Sequence, residues 1–222
     1  MAQIKICGIT TEAALAHAIA AGANFVGLVH FAKSPRHLTL ETAADFVAKA
    51  AALGSAKTVV LLVDPGDELV AAVANVVAPD IIQLHGHETP ERVAAIREIA
   101  NRTIWKAVPV ATAGEVAAAE AYLQPGIADL ILFDAKPPAG ASRPGGNALS
   151  FDWTILEGVA QRHPFALAGG LTPANVAAAV VLTKAAIVDV SSGVEAAPGR
   201  KEPVLVERFI AAARQVGQSA VK

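Results

Sequence analysis

A single cysteine, Cys7, stands among the 222 residues, so no internal disulfide can form. That usage fits a reducing cytoplasm. Runs of like charge are missing and the formal net charge is −2, which argues against a general nucleic-acid or acidic-membrane binder and leaves room only for a local basic pocket. No segment offers the roughly 18 uninterrupted apolar residues that a membrane span needs. The apolar stretch from Leu15 to Phe31 is broken by His17, Gly22, Asn24, Gly27 and His30, and nothing ahead of it has the charged-then-apolar order of a signal peptide. A cytoplasmic protein is expected. Walker and G-x-G-x-x-G loops are lacking as well. His85 and His87 have H-x-H spacing, but no Asp, Glu or Cys motif completes a metal site.

What the chain has in plenty is apolar side chains, 54% against 17% charged, which excludes intrinsic disorder. They fall in short runs: "QIKIC" from Gln3, "NFVGLV" from Asn24, "KTVVLLV" from Lys57 and "DIIQLH" from Asp80. Four more follow, "TIWKAVPV" from Thr103, "DLILFDA" from Asp129, "FALAG" from Phe165 and "AIVDVSS" from Ala186. Between them lie Ala-rich stretches of helical period. Thr39 to Leu53, for instance, places Leu40, Ala43, Ala44, Val47, Ala50 and Ala51 along one face. Strands apolar on both faces and alternating with helices imply a parallel sheet covered by helices. Eight such units predict a single-domain α/β (β/α)8 barrel, a TIM barrel, over residues 1–222. A doubly wound open sheet is the alternative, although no strand reads as a polar edge.

Two units are longer than the rest, from Asn24 to Lys57 and from Asp129 to Phe165, and in both the surplus follows the strand. Loops there lie on the C-terminal face of a barrel, where active sites are built. The polar residues gather at the same strand ends: Cys7, Arg36, Gln83 and His85, Asp134, Gly169-Gly170, then Asp189, Ser191, Ser192 and Gly193. In "LAGGLTPANV" and "VDVSSGVE" a strand passes through glycine into an expected helix start, with Thr172 as N-cap and Pro173 at the first helical position. Such loops present backbone N–H groups to an anion, so a phosphate site is expected, with plain tight turns as the alternative.

Arg36 in "AKSPRH" offers a rigid fork of donors for a carboxylate or phosphate, or else is a solvated loop arginine; Lys33 and His37 are weaker candidates. A carboxyl group buried near apolar walls can serve as a proton donor, which makes Asp134 a candidate acid. A thiol becomes a competent base once nearby cations lower its pKa. Cys7 and Asp134 thus form a candidate base and acid, although a lone cysteine also suits a small core position.

In their order these motifs resemble the phosphoribosylanthranilate isomerase family of tryptophan biosynthesis. The similar stretches are "KICGIT" at Lys5 to Thr10, "KSPRH" at Lys33 to His37, "QLHG" at Gln83 to Gly86, "FDA" at Phe133 to Ala135 and "PGG" at Pro144 to Gly146. "FDW" at Phe151, "LAGGLTPANV" from Leu167, "DVSSGVE" from Asp189 to Glu195 and "PG" at Pro198 with Lys201 close behind complete the set. The resemblance implies a (β/α)8 barrel and an Amadori rearrangement of N-(5-phosphoribosyl)anthranilate, with no cofactor and a small phosphosugar as partner. It implies Cys7 as general base and Asp134 as general acid. Arg36 would hold the anthranilate carboxylate, Gly169, Gly170, Ser192 and Gly193 the phosphate, and Asp189 would position the substrate or its nitrogen. A monomer or a homodimer fits equally. Gly145-Gly146-Asn147-Ala148 and Glu202 depart from the family pattern, outside the acid and base. The nearest rival, a histidine-pathway isomerase on the same barrel, runs similar chemistry with two aspartates and a doubly phosphorylated substrate.

Overall fold

The β-branched runs form eight parallel strands: β1 Gln3–Cys7, β2 Phe25–Val29, β3 Lys57–Leu62, β4 Ile81–Leu84, β5 Thr103–Val110, β6 Leu130–Ala135, β7 Ala166–Leu167 and β8 Ile187–Val190. Each bonds the next, and β1 also bonds β8, so the sheet closes into a barrel. This is a computed structural model, and it describes residues 1–136, 145 and 150–216. Of the sixth-loop departure only Gly145 lies within them; Pro144, Gly146, Asn147 and Ala148 fall outside the described residues.

Alternation along each strand divides the buried side chains between two cores. Inside the barrel, Phe25, Val59, Ile81, Trp105, Leu132 and Ile187 fill the lower layers, with Phe25 and Trp105 packed edge to face at 5.0 Å. Outside it, Ile4, Ile6, Val26, Leu28, Val60 and Ile82 meet the helices. Both faces being buried explains why the strands read as continuous apolar runs.

The covering helices are α1 Glu12–Ala20, α2 Leu40–Leu53, α3 Asp67–Ala72, α4 Pro90–Ala100, α5 Ala113–Ala119, α6 Val159–Arg162, α7 Val176–Thr183 and α8 Pro203–Gln215. Their starts obey local chemistry. Thr11, Thr39 and Thr89 each accept a bond from a first-turn N–H, and Thr112 with Glu115 forms a full capping box. The predicted N-cap at Thr172 is corrected: α7 begins only at Val176. The Asn175 side chain accepts from the Thr172 N–H and donates to the Gly170 carbonyl, folding Thr172 and Pro173 into a turn ahead of the helix. After β8, Ser192–Val194 makes one 3-10 turn, and a small hairpin of β9 Glu195–Ala197 and β10 Arg200–Lys201 precedes α8. No helix among the described residues is long and apolar enough to cross a membrane.

Candidate active site

The C-terminal ends of the strands surround one cavity. Cys7, Arg36, Asp134, Gly169, Gly170, Asp189, Ser192 and Gly193 all line it, with Gln83 and His85. Barrel closure therefore brings these residues to one mouth, whereas the weaker candidates Lys33 and His37 do not line it.

Cys7 ends β1 and points inward against Val29 and Leu61. Directly across in the register stands Gly27. A methyl group there would lie 2.7 Å from Sγ and 2.9 Å from the Cys7 Cα, so only glycine leaves the thiol its place. Two residues before Cys7 on the same face is Lys5, completely buried. Its ammonium donates to Asp189 Oδ2 at 2.8 Å and to Gln83 Oε1 at 2.9 Å. The β1–β8 register pairs Lys5 with Asp189, which fixes that contact. Burial works against the Lys5 charge, but Asp189 and Cys7 more than offset it and hold its pKa above the usual lysine value.

The thiol differs from the sequence expectation. Burial pushes the Cys7 pKa up; Lys5 and Lys201 pull it down, but Asp189 opposes them and the net shift is upward. The cations are present, yet carboxylates already neutralise much of their field.

Asp134 is the penultimate residue of β6, 6% exposed. Its Oδ1 accepts from the Ala135 N–H at 2.8 Å and its Oδ2 lies 3.2 Å from His85 Nε2. Gly169, at φ +81°, turns the chain beside it where an added Cβ would press on the Ala135 backbone. His85 and His87, adjacent in motif, part company: His87 is exposed and donates its N–H to Asp64. Among the described residues no group of three or more His, Cys, Asp or Glu side chains could hold a metal.

Arg36 is buried rather than solvated, and its fork grips Glu195, Nε to Oε1 at 2.8 Å and Nη2 to Oε2 at 2.7 Å. Lys201 donates to the same Oε1 at 2.7 Å and to the Ser191 carbonyl at 3.0 Å. Burial raises the Glu195 pKa, but Arg36 and Lys201 more than reverse that and hold it below the ordinary range. Lys33 is exposed, and the His37 ring rests on His30 at 5.0 Å.

Lys5, Glu195 and Lys201 had no assigned role in the sequence reading. Lys5 carried one signal, a charge in the middle of an apolar strand. Behind the mouth, Lys106 forms a second buried pair, 2.8 Å from Glu88 Oε2, and Glu88 also accepts the N–H groups of Asp64 and Gly86. This pair pins the loop that carries His85.

A closed parallel barrel with a cavity at its C-terminal strand ends, lined by both apolar and ionisable side chains, defines the class of (β/α)8-barrel enzymes. Comparison with known proteins narrows it. A family model described as N-(5'-phosphoribosyl)anthranilate (PRA) isomerase matches residues 4–212. Curated N-(5'-phosphoribosyl)anthranilate isomerases of Rhodopseudomonas palustris (strain BisA53) and Paramagnetospirillum magneticum (strain AMB-1) are 49% and 53% identical. The first alignment covers 99% of both chains, the second 96% of this chain and 97% of the relative. Among solved structures, phosphoribosyl anthranilate isomerase from Thermotoga maritima is 33% identical with TM-score 0.85, covering 97% of this chain and all of that one. A phosphoribosyl anthranilate isomerase in complex with reduced 1-(o-carboxyphenylamino)-1-deoxyribulose 5-phosphate is 31% identical with TM-score 0.83, at the same coverage. The chain belongs to the N-(5'-phosphoribosyl)anthranilate isomerase family and is an enzyme.

Proposed function

We propose that Asp134 and Cys7 are the general acid and general base with which this chain isomerises N-(5'-phosphoribosyl)anthranilate to 1-(o-carboxyphenylamino)-1-deoxyribulose 5-phosphate in tryptophan biosynthesis. The observation that carries the reading is the convergence of a buried carboxyl, a buried thiol and two glycine loops on one cavity.

Asp134 gives a proton to the furanose ring oxygen as the anthranilate nitrogen lone pair forms the C1′=N bond and the C1′–O bond breaks. The iminium ion so formed acidifies the proton on C2′. Cys7, in the thiolate form that burial makes the minor one, removes that proton, and the electron pair neutralises the iminium to give an enolamine. Moving the enol proton to C1′ leaves the C2′ ketone, and exchange with solvent takes the proton from Cys7 and returns one to Asp134, so atoms and charge balance. His85 Nε2 lies 3.2 Å from Asp134 Oδ2 and, among the described residues, has no hydrogen-bond partner.

The remaining groups hold the substrate. Asp189 Oδ1 is buried without a partner and faces the cavity, a ready acceptor for a substrate hydroxyl or the anilino N–H. The Gly169-Gly170 and Ser192-Gly193 loops supply N–H groups for the phosphate. Arg36 keeps donors beyond those given to Glu195 for the anthranilate carboxylate. Anchoring both anionic ends converts binding into orientation at C2′.

Anthranilate fluorescence tests the reading directly. Purified protein is expected to accelerate loss of the substrate signal well beyond its spontaneous decay. An unchanged decay rate overturns the assignment.

A further inference from the structure

Three charged side chains, distant in sequence, meet at the edge of the cavity. Arg36 comes from the loop after β2, Glu195 from β9 and Lys201 from β10, and all three side chains are at most 5% exposed. Both Glu195 oxygens are engaged by Arg36, and Lys201 holds one of them from the other side. A bidentate pair of this kind fixes the plane of the guanidinium as well as its position. The hairpin is tied down in turn: Thr10 Oγ1 donates to the Gly199 carbonyl at 2.6 Å. Two cations and one anion leave the trio with one unit of positive charge, on the wall that Arg36 contributes to the cavity.

We infer that Glu195 is a positioning residue for substrate recognition, orienting Arg36 so that its unused donors meet the substrate carboxylate, while Lys201 restores the positive charge that Glu195 removes. The inference rests on Arg36 binding that carboxylate. It separates two effects of opposite sign. If charge alone governed binding, removing the Glu195 anion would tighten an anionic ligand. If orientation governs, the same change loosens it, because the guanidinium loses one arm of its clamp and turns out of plane. A buried, doubly gripped arginine is the situation in which orientation wins: its hydrogen bonds to the ligand are directional, whereas the surrounding ions already screen the net charge.

The test titrates reduced 1-(o-carboxyphenylamino)-1-deoxyribulose 5-phosphate and, separately, inorganic phosphate into wild type, Glu195→Gln, Glu195→Asp and Arg36→Met. Loss of one charge-assisted hydrogen bond predicts about tenfold weaker binding of the carboxylate-bearing ligand to Glu195→Gln. Phosphate affinity stays unchanged. Glu195→Asp keeps the charge but withdraws the carboxylate by one methylene, and it too should weaken that ligand. In an Arg36→Met background the Glu195→Gln change should have no further effect. Unchanged or tighter binding of the ligand by both Glu195 variants overturns the inference, as does equal weakening of ligand and phosphate, or an effect that persists without Arg36. Wild type that fails to bind the reduced ligand overturns the substrate reading itself.

Discussion

Cys7 and Gly27 are register partners on β1 and β2, and the thiol occupies the space in which any side chain at position 27 would begin. The site of the proposed base is thus carved by the absence of a Cβ on the neighbouring strand. Gly27→Ala is expected to force the sulfur or the backbone aside, with an overpacking cost of about 1–3 kcal/mol. Chemical denaturation reads the stability loss, and turnover should fall with it.

Cys7→Ala and Asp134→Asn should each remain folded by circular dichroism, since neither leaves a large void. Each is expected to lower kcat by about 10²–10⁴, the usual worth of a positioned acid or base. Cys7→Ser should not restore activity, because a serine hydroxyl is far less acidic than a thiol. Full activity in Cys7→Ser would make the thiol structural.

The thiol titrates late. Burial and Asp189 together outweigh Lys5 and Lys201, so the folded-state pKa is raised. A raised value favours the protonated form in the folded chain, so this contribution to stability is present at neutral pH and is lost as pH rises through the folded pKa. Iodoacetamide labelling against pH should show a midpoint above the ordinary thiol value of about 8.5.

Glu195 has the opposite sign. Its burial favours protonation, but Arg36 and Lys201 prevail and depress the pKa. Its contribution is present above the unfolded glutamate value of about 4.3 and is lost as pH falls through the folded one. Urea melts of Glu195→Gln below pH 5 should show a shallower acid limb than wild type.

Removing one member of a buried ion pair leaves the other uncompensated. Lys106→Met strands Glu88, which is 4% exposed, and is expected to cost about 3–5 kcal/mol by denaturant titration. The double variant Lys106→Met with Glu88→Leu should recover part of that loss, since the stranded charge is gone.

The eight strands were legible because a barrel strand is buried on both faces, and a continuous apolar run such as "FVGLV" admits few other readings. Extra length after β2 marked the mouth, where Arg36 lines the cavity, because connecting two elements does not require it; of the extra length after β6, Gly145 lines the cavity and residues 137–144 and 146–149 lie outside the described residues. Cys7 and Asp134 were visible as polar residues at strand ends. Thr172 misled, because the bond that settles the turn comes from the side chain of Asn175, and its geometry depends on Gly170 folding back.

What the sequence determined by itself was local: strand and helix order and the roster of polar strand ends, set by side-chain periodicity and chain order within a few residues. The partners of the charges were decided only by tertiary structure. Lys5 meets Asp189 across 184 positions because β1 and β8 become neighbours when the barrel closes. Arg36 meets Glu195 across 159 because the β9–β10 hairpin folds over the loop after β2. A charge in a sequence shows that it needs a partner, since burying it alone is costly. Which partner it finds, and so whether the Cys7 thiol titrates early or late, is a property of the closed barrel.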